Sequence, residues 1–236
     1  MVVAARLCFG VMLISCRACA LTPHALRQMP RRAAVARRPI TITAPAAASG
    51  KEETDPGEVS GLRILTYPDP RLRAPNAEIT DFDDELKSTA RRMFKLMYAA
   101  DGVGLAAPQV GINKRLMVYN EFGDPKKWLN EIVLVNPRIV EKSPGRDIAT
   151  EGCLSFPGMD GPVERSKWIK VEAQNLKGKK LKKKFTGFEA RLFQHEYDHL
   201  DGVVYIDHLD NESLESVQSR LDELRAGSAE ASGCEN

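Results

Sequence analysis

The sequence predicts an α+β fold in which antiparallel strands surround a central helix that carries the chemistry. Segments of β-branched character recur between residues 115 and 185. One helical pattern precedes these strands, and a second, which contains a His-Glu-x-x-His motif, follows them. A third helical pattern closes the chain. Strands that surround a helix of this kind indicate the α+β class.

The N-terminal helix is predicted after a short strand at residues 62–65 and a proline-rich segment. Residues 80–83 match the Ser/Thr-x-x-Asp/Glu signature of a helix start. Apolar residues at helical spacing then continue until Gly102, which predicts a helix with one apolar face. These residues are Phe82, Leu86, Ala90, Met93 and Met97.

The middle of the chain is predicted to contain most of the strands. Residues 102–111 form a glycine-punctuated loop, and five segments after it have the β-branched or alternating character of strands. The last two flank a turn at residues 175–178 and therefore predict a hairpin. The five segments are residues 115–119, 132–135, 138–140, 168–173 and 180–185.

Two more helices are predicted in the last quarter of the chain. The central helix begins at Thr186, since Thr186 and Glu189 match a capping box, and ends near Gly202, which suits a left-handed cap. A surface helix follows, docked by its apolar stripe, before a polar tail from Gly227. That stripe consists of Leu214, Val217, Leu221 and Leu224.

The central helix contains the motif with the most specific chemistry. His195 and His199 are four residues apart, so both rings lie on one face of the helix and can bind one metal ion. Glu196 is placed to act as a base toward a water on that metal. Catalytic metal sites typically use three protein ligands, so a third must come from elsewhere. A third histidine six residues after His199, as in some metalloproteases, is excluded because that position is Tyr205.

The third ligand is predicted to be Cys153. It lies in the segment of residues 151–155 and is the only cysteine between the leader and the C-terminal tail. A free cysteine is commonly a small buried apolar residue, but beside two histidines a Cys-His-His site is the better interpretation. Downstream, His208 is offset from the required spacing, and a glutamate of the last helix is an unmarked alternative.

A glycine-rich segment at residues 102–109 is the third candidate for a functional role. It lacks the lysine of a phosphate-binding loop and the spacing of a dinucleotide fingerprint, which disfavours phosphate binding. Small residues allow the backbone to approach a ligand closely, and Gln109 adds an amide that can donate to an oxygen. A tight turn between a helix and a strand is the alternative.

At these three segments the sequence resembles peptide deformylases. The family motifs Gly-x-Gly-Leu-Ala-Ala-x-Gln, Glu-Gly-Cys-Leu-Ser and Gln-His-Glu-x-Asp-His-Leu occur in that order at residues 102–109, 151–155 and 194–200. The resemblance as a whole covers residues 62–209. The resemblance implies a metal-dependent hydrolase that removes the N-formyl group from the initiator methionine of nascent polypeptides and releases formate. The continuation after residue 155 and the leader look most like the bacterial-type enzymes of plastids.

The resemblance implies a metal site and its support. Cys153, His195 and His199 would bind one metal ion per chain, which is Fe²⁺ in the family, whereas the donor set alone suggests Zn²⁺ as a substitute. Glu151 would lie beside this site. A carboxylate close to a metal-bound thiolate is electrostatically unfavourable unless a cation pairs with it. Arg165, placed at the start of the next strand, would donate two hydrogen bonds to the Glu151 carboxylate, because the family pairs the residues at these two positions.

The resemblance also implies roles in the reaction. Glu196 would take a proton from water and pass it to the departing amine. The side chain of Gln109 and the backbone N–H of Leu154 would stabilise the oxyanion together with the metal.

The substrate is expected to bind as an added strand. Its backbone would lie near Gly104 and a loop at residues 158–162. We expect Val103, Phe188 and Leu192 to form the methionine pocket, with ordinary core packing as the alternative.

Residues 1–55 are interpreted as a targeting leader and linker. Residues 1–50 contain seven arginines and no Lys, Asp or Glu. Residues 1–20 have a signal-peptide pattern and residues 21–50 a transit-peptide composition, which together predict delivery to the stroma of a plastid with extra membranes. A single mitochondrial or plastid presequence is the alternative. Residues 58–210 are the predicted catalytic domain, and residues 211–236 the last helix and polar tail.

Charge and hydropathy argue against a DNA-binding protein and against a membrane protein. The chain after residue 50 carries 27 basic and 32 acidic residues, and this acidic balance disfavours a DNA-binding function. No apolar run reaches the roughly 18 residues of a membrane span, so the mature protein is not expected to enter a membrane.

Two other functions stay open at this point. The helix motif alone would suit a zincin-type metallopeptidase, which predicts a ligand after His199 and no role for Cys153. Six lysines within residues 177–184 would suit a ribosome- or RNA-binding module, although a charged strand edge is the more ordinary explanation. The expected partners are N-formyl-methionyl nascent peptides, with the enzyme near the organelle ribosome exit.

Overall fold

The computed structural model describes residues 58–59 and 61–233, and it confirms the α+β class. The predicted leader and linker, residues 1–55, lie outside the described residues. The strands are β1 Glu58–Val59, β2 Leu62–Arg63, β3 Gly104–Ala106, β4 Leu116–Tyr119, β5 Ile132–Lys142, β6 Arg146–Cys153, β7 Phe156–Ser166, β8 Trp168–Gln174 and β9 Lys180–Thr186, and the helices are α1 Asp84–Ala99, α2 Gly187–Leu200 and α3 Asn211–Gly233.

Helix α1 begins later than its sequence signature predicts. Asp83 is the N-cap, and its carboxylate accepts a hydrogen bond from the Leu86 N–H at 2.9 Å. Thr80, the predicted cap, instead bonds the side chain of Asp81. Both residue types can cap a helix, and the one whose extended backbone directly precedes the first turn takes the role. The predicted apolar face is buried against the five-stranded sheet.

Five antiparallel strands form the main sheet, in the order β3-β4-β5-β8-β9. The predicted hairpin is β8 and β9. Two predicted strands, 132–135 and 138–140, are one strand, β5, with a register irregularity between Val135 and Arg138. Asn136 lies there with φ +49°, and its side chain bonds the backbone of Ile79 and the side chain of Gln174. This bulge, followed by a proline, explains why the sequence pattern is interrupted.

A second sheet consists of the long hairpin β6 and β7, which sequence patterning did not predict. The expected loop at residues 158–162 lies within β7, and Arg165 is near the end of that strand, not at the start of one. The glycines and prolines of this segment are residue types that usually indicate a loop. They are tolerated here because β7 pairs only with β6 in the described sheet, so the missing N–H of Pro162 breaks no inner ladder.

Helix α2 packs between the main sheet and the β6–β7 hairpin, as the central helix of the fold. Its predicted bounds are confirmed, with Thr186 as N-cap and Gly202 at φ +72° just beyond the last turn. The predicted capping box is wrong, because the Thr186 side chain makes no capping bond. Glu189 instead bonds the Tyr119 hydroxyl at 3.2 Å and Lys183 Nζ at 3.0 Å.

Helix α3 packs its predicted stripe onto β7 and the segment before α1. Leu221 is 1% exposed, in a cluster with Phe156 and Leu72. The backbone remains helical past Gly227, where the sequence predicts a polar tail, as far as Gly233. Among the described helices, none combines the length and apolarity that crossing a membrane requires.

Candidate metal centre

Three ligand-type side chains from two elements meet inside the molecule. His195 and His199 project from adjacent turns of α2, and Cys153 is the last residue of β6. Their ligand atoms all lie within 4.8 Å of one another, and the three residues are 5%, 6% and 1% exposed in chain order. Cys153 Sγ is 3.3 Å from His199 Nε2. Within the described chain this is the single cluster of three such residues, and it joins the motifs that the sequence singled out.

The environment of Cys153 favours the thiolate, which is the form that binds a metal. Burial raises the pKa of the thiol, but the charge of His199 and hydrogen bonds from both histidines outweigh burial and lower the pKa to about 5. The two histidines thus shift the equilibrium of Cys153 toward the thiolate.

Glu151 supports the cluster from behind. Its Oε2 lies 3.0 Å from His195 Nδ1, so a proton on Nδ1 is held by the carboxylate and Nε2 is free to bind a metal. Burial raises the pKa of Glu151, but hydrogen bonds from His195 and Arg165 reverse this and hold the pKa well below its usual value. The side chain is fully buried, and the lowered pKa favours its ionised form.

The structure brings Glu151 and Arg165 together, as the sequence comparison of motifs led us to expect. Arg165 donates from Nε to Oε1 at 3.1 Å and from Nη2 to Oε2 at 2.9 Å. Its remaining nitrogen, Nη1, bonds Asp198, which also binds His208 Nε2 at 2.7 Å. His208, considered above as an offset ligand, is therefore engaged on the far side of Arg165.

Sequence reasoning missed a second cation on Glu151. Arg191 Nη1 lies 2.6 Å from Glu151 Oε1, and Arg191 is 7% exposed. The available signal was its position, four residues before His195 on the same helix face and between Ala190 and Leu192. A charged residue at such a position requires a buried partner.

Glu196 lies on the cleft side of the cluster. It is 3% exposed, and its Oε2 has no hydrogen-bond partner among the described residues. Burial raises its pKa to about 7, against the opposing charges of His195 and His199. A carboxyl group with this pKa and a free oxygen can both accept and release a proton near neutral pH.

Gln109 approaches the cluster from a short 3-10 helix, Ala107–Val110, and Leu154 from a turn. Gln109 Oε1 accepts from the Ala106 N–H at 2.8 Å, which directs Nε2 toward Ser155 Oγ at 3.3 Å and Cys153 Sγ at 3.6 Å. Leu154 lies in the turn that joins β6 and β7. Both residues can therefore present N–H donors at the edge of the cluster.

A small cleft opens onto two of the three ligands, Cys153 and His195. Of the predicted substrate-binding residues, Val103, Gly104 and Leu192 belong to its lining, whereas Phe188 does not and packs partly buried against the core between α2 and the sheet. The lining residues are Gly102, Val103, Gly104, Gln109, Gly152, Cys153, Leu154, Leu192, His195 and Glu196.

The donor set fits a metal ion with an open position. One thiolate and two imidazoles would supply the three protein ligands that a catalytic site typically uses, and the cleft borders Cys153 and His195. A zincin would need its third ligand after His199. Tyr205 is instead packed against Phe156, with ring centroids 5.2 Å apart, and this arrangement disfavours the metallopeptidase.

The lysine-rich strand edge has ordinary contacts. Lys182 and Lys183 bond Glu172 and Glu189 at 2.6 and 3.0 Å, and Lys184 lies over the ring of Trp168. These neighbours favour a solvated sheet edge over an RNA-binding module.

Comparison with known proteins gives consistent results. A model of the polypeptide deformylase family matches residues 62–215. Chloroplastic peptide deformylase 1B of Oryza sativa subsp. japonica is 46% identical over 172 residues, which cover 73% of this chain and 64% of that protein. A mutant of Arabidopsis thaliana peptide deformylase 1B superposes with a TM-score of 0.71 at 43% identity, over 73% of this chain and 93% of that one. Plasmodium falciparum peptide deformylase superposes with a TM-score of 0.70 at 41% identity, over 74% and 99%. The chain thus spans less than two thirds of the length of the curated rice relative.

Proposed function

The chain belongs to the polypeptide deformylase family, and from this we propose that it hydrolyses the formyl amide of N-formyl-methionyl nascent peptides. The products are formate and a peptide with a free amino-terminal methionine. The observation that carries the proposal is the buried Cys153, His195 and His199 cluster, which opens onto a cleft beside the unpaired carboxyl oxygen of Glu196.

Fe²⁺ is the proposed ion, one per chain, with Zn²⁺ as a substitute. Cys153, His195 and His199 would hold it, and thiolate and imidazole ligands suit both metals. When bound, such an ion supplies Lewis acidity that polarises a carbonyl and lowers the pKa of a neighbouring water. Glu151 keeps the His195 ring oriented for this role through the 3.0 Å contact with Nδ1.

Glu196 is the proposed proton carrier. Its free Oε2 accepts a proton from the attacking water and then donates it to the amine nitrogen as the formyl C–N bond breaks. The pKa of about 7 suits both halves of this transfer.

Oxyanion stabilisation is assigned to Gln109 and Leu154. The side-chain N–H of Gln109 and the backbone N–H of Leu154 would donate to the oxygen on which charge develops. Because the Gln109 amide is fixed by its bond to Ala106, it needs no reorientation during the reaction.

Substrate is proposed to add along the free edge of β3. This strand is at the end of the five-stranded sheet, so Gly104 can offer backbone groups to an extended peptide. The methionine side chain would lie against Val103 and Leu192, with Phe188 as a further predicted contact. The glycines of residues 158–162, which belong to β7, would border the peptide on the opposite side.

The plastid stroma is the proposed location, with the enzyme near the ribosome exit. The rice relative is named chloroplastic and the Arabidopsis one chloroplastic and mitochondrial, which keeps the mitochondrion as the alternative. Residues 1–55 would be the leader and linker, 58–210 the catalytic domain, and 211–236 a C-terminal extension.

The test is formate release by the anaerobically purified chain. Formyl-Met peptides should yield formate, whereas acetyl-Met peptides and the internal bonds of casein should remain intact. Casein cleavage without formate release would refute the proposal and favour a peptidase.

A further inference from the structure

Arg191 links Glu151, which supports the metal centre, to both strands of the β6–β7 hairpin. Its guanidinium is buried and bonds three groups on two strands. Nη1 donates to Glu151 Oε1 at 2.6 Å and to the Val163 carbonyl at 2.8 Å, and Nη2 donates to the Asp147 carbonyl at 2.6 Å. Asp147 and Glu151 belong to β6, and Val163 belongs to β7.

The hydrogen bonds of Glu151 are divided among two arginines and His195. Oε2 accepts hydrogen bonds from Arg165 Nη2 and His195 Nδ1, and Oε1 accepts from Arg165 Nε and Arg191 Nη1. Arg165 is itself shared, because its Nη1 bonds Asp198. Arg191 therefore makes the shortest contact of Glu151, 2.6 Å against 2.9 to 3.1 Å for the others.

The two halves of the ligand set also meet at Arg191. Cys153 comes from the β6–β7 hairpin, whereas His195 and His199 come from α2. Arg191 is one turn before His195 on α2, and its guanidinium reaches both strands of the hairpin. A shift of the hairpin relative to the helix would change the distance between the thiolate and the imidazoles.

We propose that Arg191 is a positioning residue that aligns the ligand hairpin with the ligand helix and fixes the carboxylate that orients His195. The proposal rests on the metal site of the proposed function. Arg191 would act through Glu151 and would need no contact with the substrate.

The experiment compares Arg191→Met with Arg191→Lys and Arg115→Met. Arg115 is the matched control, because it also tethers α2, through the Leu200 carbonyl at 3.0 Å and Asp201 at 2.8 Å, and touches neither Glu151 nor the ligands. Each full-length variant is loaded with Co²⁺. Three quantities are measured: the rate of Co²⁺ release to a chelator, the thiolate-to-cobalt absorption bands, and the Tm of the metal-free protein.

Arg191→Met should release Co²⁺ about 10- to 100-fold faster than wild type and alter the thiolate bands, the usual scale for loss of a group that supports a ligand. Arg191→Lys keeps the positive charge but has a single nitrogen, so its rate of Co²⁺ release should lie between those of wild type and Arg191→Met. Arg115→Met should lower the Tm while leaving the release rate and the spectrum unchanged.

Two results would overturn the proposal. One is a wild-type release rate and spectrum in Arg191→Met, or in Arg191→Lys if the Met variant does not fold. The other is equally fast release in Arg115→Met, which would indicate general loosening of α2. Neither readout depends on substrate, so a wild-type chain that releases no formate would refute the proposed function without affecting this inference.

Discussion

Gly104→Ala tests how closely the glycine-rich segment of residues 102–109 must approach Glu196, the proposed proton carrier. A Cβ at this position would lie 2.8 Å from Leu192 Cδ1 and 2.9 Å from Glu196 Cδ, and closer still to Glu196 Oε1. Carbon atoms do not approach below about 3.0 Å, so the Glu196 carboxyl group must move by several tenths of an ångström or more. Small displacements of this kind at a reacting group cost up to about 10²-fold in rate.

The expected result is a fall of about 10²-fold in kcat/KM for formate release, with the metal content unchanged. Two further variants provide a graded control. Gly102→Ala would place its Cβ 2.8 Å from the flexible end of Leu154, which can move, so its effect should be smaller. Gly227→Ala meets nothing within 4 Å and should have wild-type activity. Wild-type kcat/KM in Gly104→Ala, or an equal loss in Gly227→Ala, would refute the steric reasoning.

Three other predictions concern different parts of the chain. Glu151→Ala and Arg165→Ala should each lower metal occupancy or activity about 10- to 100-fold, and the double variant should be little worse; additive losses in the double-mutant cycle would refute the pairing. Burial raises the pKa of Asp207, but hydrogen bonds from Arg73 and the Val204 N–H hold this pKa below its usual 3.8. The Asp207–Arg73 pair therefore contributes its full stability above pH 3.8, and this stability is lost as the pH falls through the lower pKa of the folded state. Chemical denaturation between about pH 5 and pH 2 should therefore show a shallower loss of stability in Asp207→Asn. Residues 1–50 fused to a reporter should reach a plastid and residues 21–50 alone should not; mitochondrial arrival would favour a single presequence.

Local patterns explain which features were predictable from sequence. The placement of His195 and His199 on one face follows from helix geometry over four residues, and the α2 bounds follow from Thr186 and Gly202. Cys153 is 42 residues before His195, so no local rule connects it to the histidines; it was predicted because it is the only cysteine between the leader and the C-terminal tail, and the family resemblance agrees.

Tertiary contacts explain what sequence patterning missed. Strand β7 contains glycines and prolines that normally indicate a loop, and only its pairing with β6 makes it a strand. The role of Arg191 depends on three partners from two strands, none of which is near it in sequence. Glu189 matched a capping box, but the Tyr119 hydroxyl and Lys183 compete for its carboxylate.

The central claim is that Glu196, beside the Cys-His-His cluster, moves the proton in formyl hydrolysis. The most direct measurement compares formate release by Glu196→Gln and Glu189→Gln, each loaded with Fe²⁺ under anaerobic conditions and assayed for metal content. Glu189 is on the same helix but bonds Tyr119 and Lys183 away from the cleft. The account predicts a loss of about 10²- to 10⁴-fold for Glu196→Gln, with one metal per chain, and near wild-type activity for Glu189→Gln. Undiminished formate release by metal-loaded Glu196→Gln would contradict it.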